Sequence, residues 1–237
     1  VKPRICAFCK STVITATCSC GLLGFFTRFS TTGSKRAALP VMEGKAALLH
    51  QFAGLSAWPL VLDTRDPDEI VETVLHLAQG FGAIQLEDIE SPVCFEVERR
   101  LVEALEMPVL HDDQHGTAVA TLAAATNAMR RAGLELASAH VGVIGLGAAG
   151  TAIARMLGAV TAKPVLGFDP GPEDIARLRA LGGEPAKDIA ELMARVDLVV
   201  AVTGRAGLIS PAWVRRGQGI LALTNPEPEI RPDDALA

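Results

Sequence analysis

From Val41 onward, apolar positions alternate between helical spacing and short unbroken runs, which predicts helices and buried strands in turn. In MEGKAALLHQFAG, the residues Ala46, Leu48, Leu49 and Phe52 predict the apolar side of a helix that Gly54 stops. PLVLD predicts a strand ending at Asp63. Asp66-Pro67-Asp68-Glu69 then supplies an N-cap, a first-turn proline and a capping-box acid. The helix they open reaches about Gln79, with Ile70, Val71, Val74 and Leu77 facing inward, and Gly80 and Gly82 end it. Next come a strand over Ala83–Leu86, a helix capped by Ser91-Pro92 and running to about Leu105, and a strand over Pro108–Leu110. A long helix from about Gly116 to Arg131, carrying Val119, Leu122, Ala123 and Met129, closes this half.

Gly133 to Ala139 reads as a boundary. Beyond it the pattern predicts a strand at 140–144, a helix from Ala148, a strand over Val165–Phe168 and a helix from about Pro172. A helix over Asp188–Arg195 and strands over Leu198–Val202 and Ile220–Leu223 complete the half. Strand alternating with helix predicts α/β architecture with parallel sheets. Three regions result: residues 1–38 without an assigned fold, an α/β domain over 39–131, and a doubly wound domain over 132–237. The last looks incomplete, because a full Rossmann-type domain has about six strands.

Composition narrows the class. The 237 residues are 49% apolar, enough for two cores and incompatible with a disordered chain. Net charge is −5, and every acid lies from Glu43 onward, whereas Lys2, Arg4, Lys10, Arg28, Lys35 and Arg36 precede it. The acidic body excludes a nucleic-acid partner. No apolar stretch approaches the roughly 18–20 residues needed to cross a bilayer. A protein without a membrane partner, in the reducing cytoplasm, is therefore expected.

Cysteine usage agrees, since four of five cysteines are crowded into Cys6-x-x-Cys9 and Cys18-x-Cys20 and Cys94 stands apart. The segment holding the four is basic, acid-free and rich in Ser and Thr. A small zinc loop, a presequence, and sequence foreign to the folded protein all remain open for it. The start at Val1 suits a processed product or a fragment.

Two groups of residues carry chemistry. VGVIGLGAAG is an apolar strand opening into Gly145, Gly147 and Gly150, followed by a helix of small residues. In a dinucleotide fingerprint the first glycine permits the turn, the second lets backbone approach a pyrophosphate, and the third lets helix and strand pack closely. Gly145, Gly147, Ala148, Ala149 and Gly150 are thus candidate cofactor contacts, and the helix N-terminus favours the phosphates. Asp169, at the end of the next strand, is placed to accept from an adenosine ribose, which favours NAD over NADP. The alternative for Asp169 is a surface residue opening the DPGPED turn.

The second group is acidic: Glu87 and Asp88 in LEDI, Asp112 and Asp113 in HDDQHGTA, each behind a predicted strand. Oxygen donors suit Mg²⁺ or Mn²⁺, and Glu87, Asp88 and Asp113 are the candidate ligands. Two helix-capping loops are the alternative, and His111 and His115 the alternative ligands for zinc.

PVMEGKAALLHQFAGLSAWPLVLDTRDPDEIVETV, IQLEDIESPVCFEVERRL, MPVLHDDQHGTAVA and ILALTNPEPEI together resemble consecutive blocks of the bacterial malic enzymes, from about Leu39 to the end. The resemblance implies a substrate and metal domain over 39–131 and an NAD-binding domain over 132–237. It implies metal coordination by Glu87, Asp88 and Asp113 with Asp112 beside them in the catalytic group, Lys45 as the catalytic lysine, and Asn225 contacting substrate near the nicotinamide. The activity implied is conversion of malate to pyruvate and CO₂ with reduction of NAD, or less favourably NADP. Lys45 in its neutral form would take the hydroxyl proton, and the metal would polarise the ketone as a Lewis acid. A homodimer is the implied assembly.

Three departures weaken the expected turnover. The chain has no tyrosine, whereas the family's N-terminal tyrosine protonates the enol. FFTRFSTTGSKRAAL stands where a glycine-rich substrate segment is expected, and a C-terminal block with a second substrate asparagine is missing. A chain cut at both ends, with weak overall decarboxylation, is the expectation. Its rivals are a non-decarboxylating NAD-dependent hydroxyacid or amino-acid dehydrogenase and a non-catalytic NAD-binding remnant.

Overall fold

The computed structural model describes residues 22–27 and 35–236. It divides into two compact units, with the division between Asp113 and Gln114. The four N-terminal cysteines and the readings attached to them lie outside the described residues.

The N-terminal unit holds a parallel sheet in the order β2-β1-β3-β4, made of β1 (Leu22–Thr27), β2 (Ser56–Val61), β3 (Ile84–Glu87) and β4 (Val109–His111). The strand β1 falls in the segment that sequence left unassigned, and it is flanked on both sides by partners. Three helices accompany the sheet: α1 (Lys35–Ala53), α2 (Pro67–Leu77) and α3 (Val93–Ala104).

Residues Met42, Ala46 and Leu49 form one stripe of α1, and Met42 is fully buried among Ala46, Leu49, Leu55, Ala57 and Val61. Leu48 and Phe52 form a separate i, i+4 pair and are exposed, so the expected apolar side is only partly the buried one. Gly54, at φ +67°, ends the helix and donates its N–H to the His50 carbonyl.

Helix α2 starts as its sequence dictates. The Asp66 carboxylate accepts from the Asp68 N–H at 2.8 Å, and Ile70, Val71 and Val74 are buried. Leu77 is exposed instead, because the last turn tightens into a 3₁₀ turn that buries Ala78. At α3 the expected Ser91 cap is absent, since Pro92 occupies the cap position without a side-chain bond. The helix is held by burial of Cys94, Val97 and Leu101, each apolar side chain worth about 1.5–3 kcal/mol. At the edge of this stripe Glu98 accepts the His111 N–H at 2.9 Å, tying α3 to β4.

Helix α4 spans Asp112–Arg131, four residues earlier than the sequence pattern predicts, so Asp112 and Asp113 form its first turn rather than a loop. Carboxylates there suit the positive end of the helix dipole. Its inward stripe is Ala118, Thr121, Ala125 and Met129, and Val119 is exposed. Ala118, Ala125 and Met129 share an apolar cluster with Val141 and Val143, which is why the division falls in the first turn of this helix rather than at Gly133.

The C-terminal unit is a five-stranded parallel sheet, order β7-β6-β5-β8-β9. The strands are β5 (Val141–Ile144), β6 (Leu166–Phe168), β7 (Glu184–Pro185), β8 (Leu198–Ala201) and β9 (Gly219–Ala222). The helices are α5 (Ala148–Gly158), α6 (Pro172–Ala180), α7 (Ile189–Arg195) and α8 (Pro232–Leu236). Strands β5 and β8 are buried on both faces, as continuous apolar runs require. Val141, Val143, Leu198 and Val200 pack with Ile153 and Leu157 of α5, while Ile144, Val199 and Ala201 pack with Leu192 and Met193 of α7. This is a doubly wound sheet with its switch point beside β5. Among the described residues no helix is long and apolar enough to cross a membrane.

Candidate active site

In the N-terminal unit, strand register decides which carboxylates meet. Leu86 of β3 is paired with His111 of β4, so the residues that follow them, Glu87 and Asp112, emerge side by side at the carboxyl ends of the strands. Lys45, on α1, reaches both: it forms an ion pair with Glu87 and donates from Nζ to Asp112 Oδ2 at 2.9 Å. The Glu87 carboxylate is buried and also accepts from Gln85 Nε2 at 3.2 Å. Asp88 carries a positive φ of 51°, uncommon for a residue with a Cβ, and its N–H is aimed at Asp113 Oδ2, 2.6 Å away. His111 lies fully buried beside this pair, with Nε2 4.0 Å from Asp113 Oδ2.

Of the acidic candidates, the structure therefore brings Lys45, Glu87 and Asp112 together, and links Asp88 to Asp113 through backbone. It does not gather Glu87, Asp88 and Asp113 around one point. Among the described residues no group of three His, Cys, Asp or Glu side chains is arranged to hold a metal ion. As placed, Glu87 faces an ammonium and the Asp113 carboxylate accepts from a backbone amide.

The glycine turn in the C-terminal unit matches its expected geometry. Gly145 has φ +89°, and a Cβ there would lie 2.8 Å from the Val202 carbonyl oxygen. A Cβ on Gly150 would lie 1.8 Å from the Gly145 carbonyl oxygen, so helix and turn approach as closely as only glycine allows. At Gly147 nothing lies within 4 Å of that position, leaving open space at the start of α5, where Gly147 is the N-cap without a side-chain bond. Ala148 and Ala149 form the first turn, with N–H groups free of intrahelical partners by helix geometry. Open space against a helix N-terminus fits a pyrophosphate.

Asp169 follows β6 beside this turn. Its Oδ2 accepts from the Leu146 N–H and its Oδ1 from the Gly171 N–H, both at 2.8 Å, so the half-buried carboxylate braces the glycine turn and also opens the DPGPED turn. Sequence reasoning missed its neighbour Asp174, on the first turn of α6 and paired with Arg177. Burial, and then the charge of Asp169, push the Asp174 carboxyl above the usual range.

A second missed residue is Glu229, fully buried beyond β9, in the same NPEPEI segment as Asn225. Asn225 is exposed just past the end of the strand. Burial raises the Glu229 carboxyl, but hydrogen bonds from Thr203 and Thr224 outweigh it and the net shift is downward. An acid preceded by Pro228 and followed by Ile230 gives no periodic signal, so only the three-dimensional contacts expose it.

Against known proteins, residues 31–102 match the family described as the malic enzyme N-terminal domain, and residues 100–205 match the NAD-binding domain of D-isomer specific 2-hydroxyacid dehydrogenases. The chain is 58% identical over 200 residues to NAD-dependent malic enzyme 1 of Bacillus subtilis, covering 84% of this chain and 46% of that protein. An NADP-dependent malic enzyme of Halomonas elongata is 38% identical over 210 residues, covering 83% of this chain and 50% of that one. The chain thus spans about half the length of the curated relatives it matches. The crystal structure of an NAD-dependent malic enzyme from Thermotoga maritima superposes with a TM-score of 0.75 at 33% identity, covering 87% of this chain and 59% of that one. With the malic enzyme N-terminal domain matched over residues 31–102 and identity to a malic enzyme of 58% over 200 residues, the chain belongs to the malic enzyme family.

Proposed function

We propose that this chain handles malate and NAD in the oxidative decarboxylation of malate to pyruvate and CO₂. The observation that carries the proposal is Lys45, an amine held between Glu87 and the Asp112 oxygen 2.9 Å away, at the ends of β3 and β4. In the oxidation, Lys45 Nζ first passes its proton to Asp112, and in its neutral form receives the proton of the C2 hydroxyl as hydride leaves C2 for the nicotinamide. The β-carboxylate of the resulting keto acid then leaves as CO₂, its bonding pair forming the C2–C3 double bond of an enol. Protonation at C3 gives pyruvate. With no tyrosine in the 237 residues, that last proton comes from Lys45, from another acid or from water, and overall turnover of this chain alone is weak.

NAD is the proposed cofactor, on the strength of Asp169 beside the glycine turn and of the NAD-dependent relatives. Dependence on Mg²⁺ or Mn²⁺ is proposed separately for Glu87, Asp88 and Asp113. It requires Glu87 to turn from Lys45 and Asp113 from the Asp88 amide, and titration of the chain with Mn²⁺, followed by electron paramagnetic resonance, tests it. A homodimer in the cytoplasm completes the proposal, and sedimentation equilibrium tests the assembly.

The decisive measurement is malate-dependent NADH formation with trapping of CO₂. NADH and CO₂ in equal amounts support the proposal. NADH without CO₂ favours a non-decarboxylating hydroxyacid dehydrogenase, the second reading, to which the match over residues 100–205 lends weight. Dinucleotide binding without either product leaves a non-catalytic module.

A further inference from the structure

We infer that Glu229 is a positioning residue for the nicotinamide half of the dinucleotide: a buried carboxylate that staples the loop after β8 to the loop after β9 and so sets where Asn225 is presented. The inference rests on the dinucleotide reading of the glycine turn.

The contacts are dense for a single side chain. Glu229 Oε1 accepts from the Thr203 N–H at 2.7 Å, the Thr203 hydroxyl at 2.9 Å and the Thr224 hydroxyl at 2.5 Å, and Oε2 accepts from the Thr224 N–H at 3.3 Å. Backbone repeats the join. Gly207 donates to the Pro228 carbonyl, Ile209 donates to that of Glu229, and Gly204 donates to the Thr224 hydroxyl at 2.9 Å. A buried carboxylate with four donors stays ionised and gives each loop a fixed anchor.

Location gives the staple its role. In the order β7-β6-β5-β8-β9, the glycine turn leaves β5, Asp169 stands on the β6 side, and the stapled loops stand on the β8–β9 side. The stapled region starts directly against the turn, because Val202, the residue before Thr203, has its carbonyl 2.8 Å from where a Cβ on Gly145 would be. A dinucleotide laid across the carboxyl ends of these strands, with its pyrophosphate on α5 and its adenosine ribose at Asp169, extends its other half over β8 and β9. Asn225 is adjacent to Thr224, so the anchor acts one peptide unit from the amide it presents.

Separating the two halves of the cofactor tests this on the full chain. ADP-ribose reports the glycine turn and Asp169, and NADH reports the same contacts plus the nicotinamide. With Glu229→Gln, which puts an amide donor among four donors, the Kd for NADH should rise about tenfold while that for ADP-ribose stays within about twofold. Thr224→Val, which removes one donor and leaves the carboxylate, should shift NADH in the same direction by less and guards against failure of the first variant to fold. Equal losses of both ligands, or a lowered Tm with neither Kd changed, would make Glu229 purely structural and overturn the inference. If the unaltered chain binds neither ADP-ribose nor NADH, it is the dinucleotide reading that fails.

Discussion

The two candidate sites are assembled by different means. In the C-terminal unit the glycine turn is six consecutive residues of backbone, braced by Asp169, 23 positions beyond Leu146. In the N-terminal unit the cluster joins side chains from α1, β3 and α4, with Lys45 and Asp112 separated by 67 positions and Asp88 and Asp113 by 25. A site of backbone keeps its shape when side chains change, and it fails only where a Cβ intrudes. A cluster of opposite charges keeps its shape only while each partner faces the other, so it is the one able to rearrange when substrate or cation arrives.

The comparison predicts that the two sites can be broken independently. The largest effect is expected for Lys45→Met, where malate-dependent NADH formation should fall about 10²–10⁴-fold, the usual worth of a general base. Affinity for ADP-ribose should not change, and a parallel loss would show that the two sites are not separate. Next, Gly150→Ala forces a Cβ against the Gly145 carbonyl and should lower stability by about 1–3 kcal/mol in urea unfolding while abolishing ADP-ribose binding. Gly147→Ala meets open space, so its unfolding midpoint should match the parent while ADP-ribose binding weakens about tenfold through the methyl alone.

A smaller effect separates hydrogen bonding from metal binding at Asp113. Asp113→Ala removes the acceptor for the Asp88 N–H and should cost about 1–2 kcal/mol. Asp113→Asn keeps an acceptor and should recover most of that stability, yet it should still weaken Mn²⁺ binding if the carboxylate is a ligand. Equal Mn²⁺ affinity in all three proteins would remove Asp113 from the proposed ligand set.

The smallest effect is electrostatic. Glu229 is depressed in the folded chain, so its contribution is complete above the ordinary 4.5 and is lost as pH falls through the lower folded value. The Tm gap between the parent and Glu229→Gln should be constant from pH 8 down to about pH 5 and narrow below it. A gap that widens on acidification would contradict the ionised staple.

Much of this was legible in the sequence where local rules govern. Asp66 caps α2, Gly54 stops α1, and Gly145 and Gly150 sit where backbone demands them, because each obeys a constraint set by its immediate neighbours. The acids at 87–88 and 112–113 were visible as candidates, but their pairing was not. Which carboxylate faces Lys45 depends on the β3–β4 register, which no spacing encodes. Met129 and the partly buried Leu122 were legible on the inward face of α4, but Val119 and Ala123 drew it away from Ala118 and Ala125, since small residues packed closely carry less hydrophobic signal than an exposed valine. Glu229 was silent for a related reason: it satisfies loops rather than a periodic face.

One consequence concerns the strand β1. Its segment resembles a leader in composition, yet Leu22–Thr27 pairs with β2 along one side and β3 along the other, with Thr27 opposite Glu87. Trimming the protein at about residue 38, the natural choice for anyone cloning only the acidic body, would split a four-strand ladder through its middle and leave two raw edges open to other chains. Such a shortened product should precipitate on expression, and its insolubility would say nothing about the catalytic residues it retains.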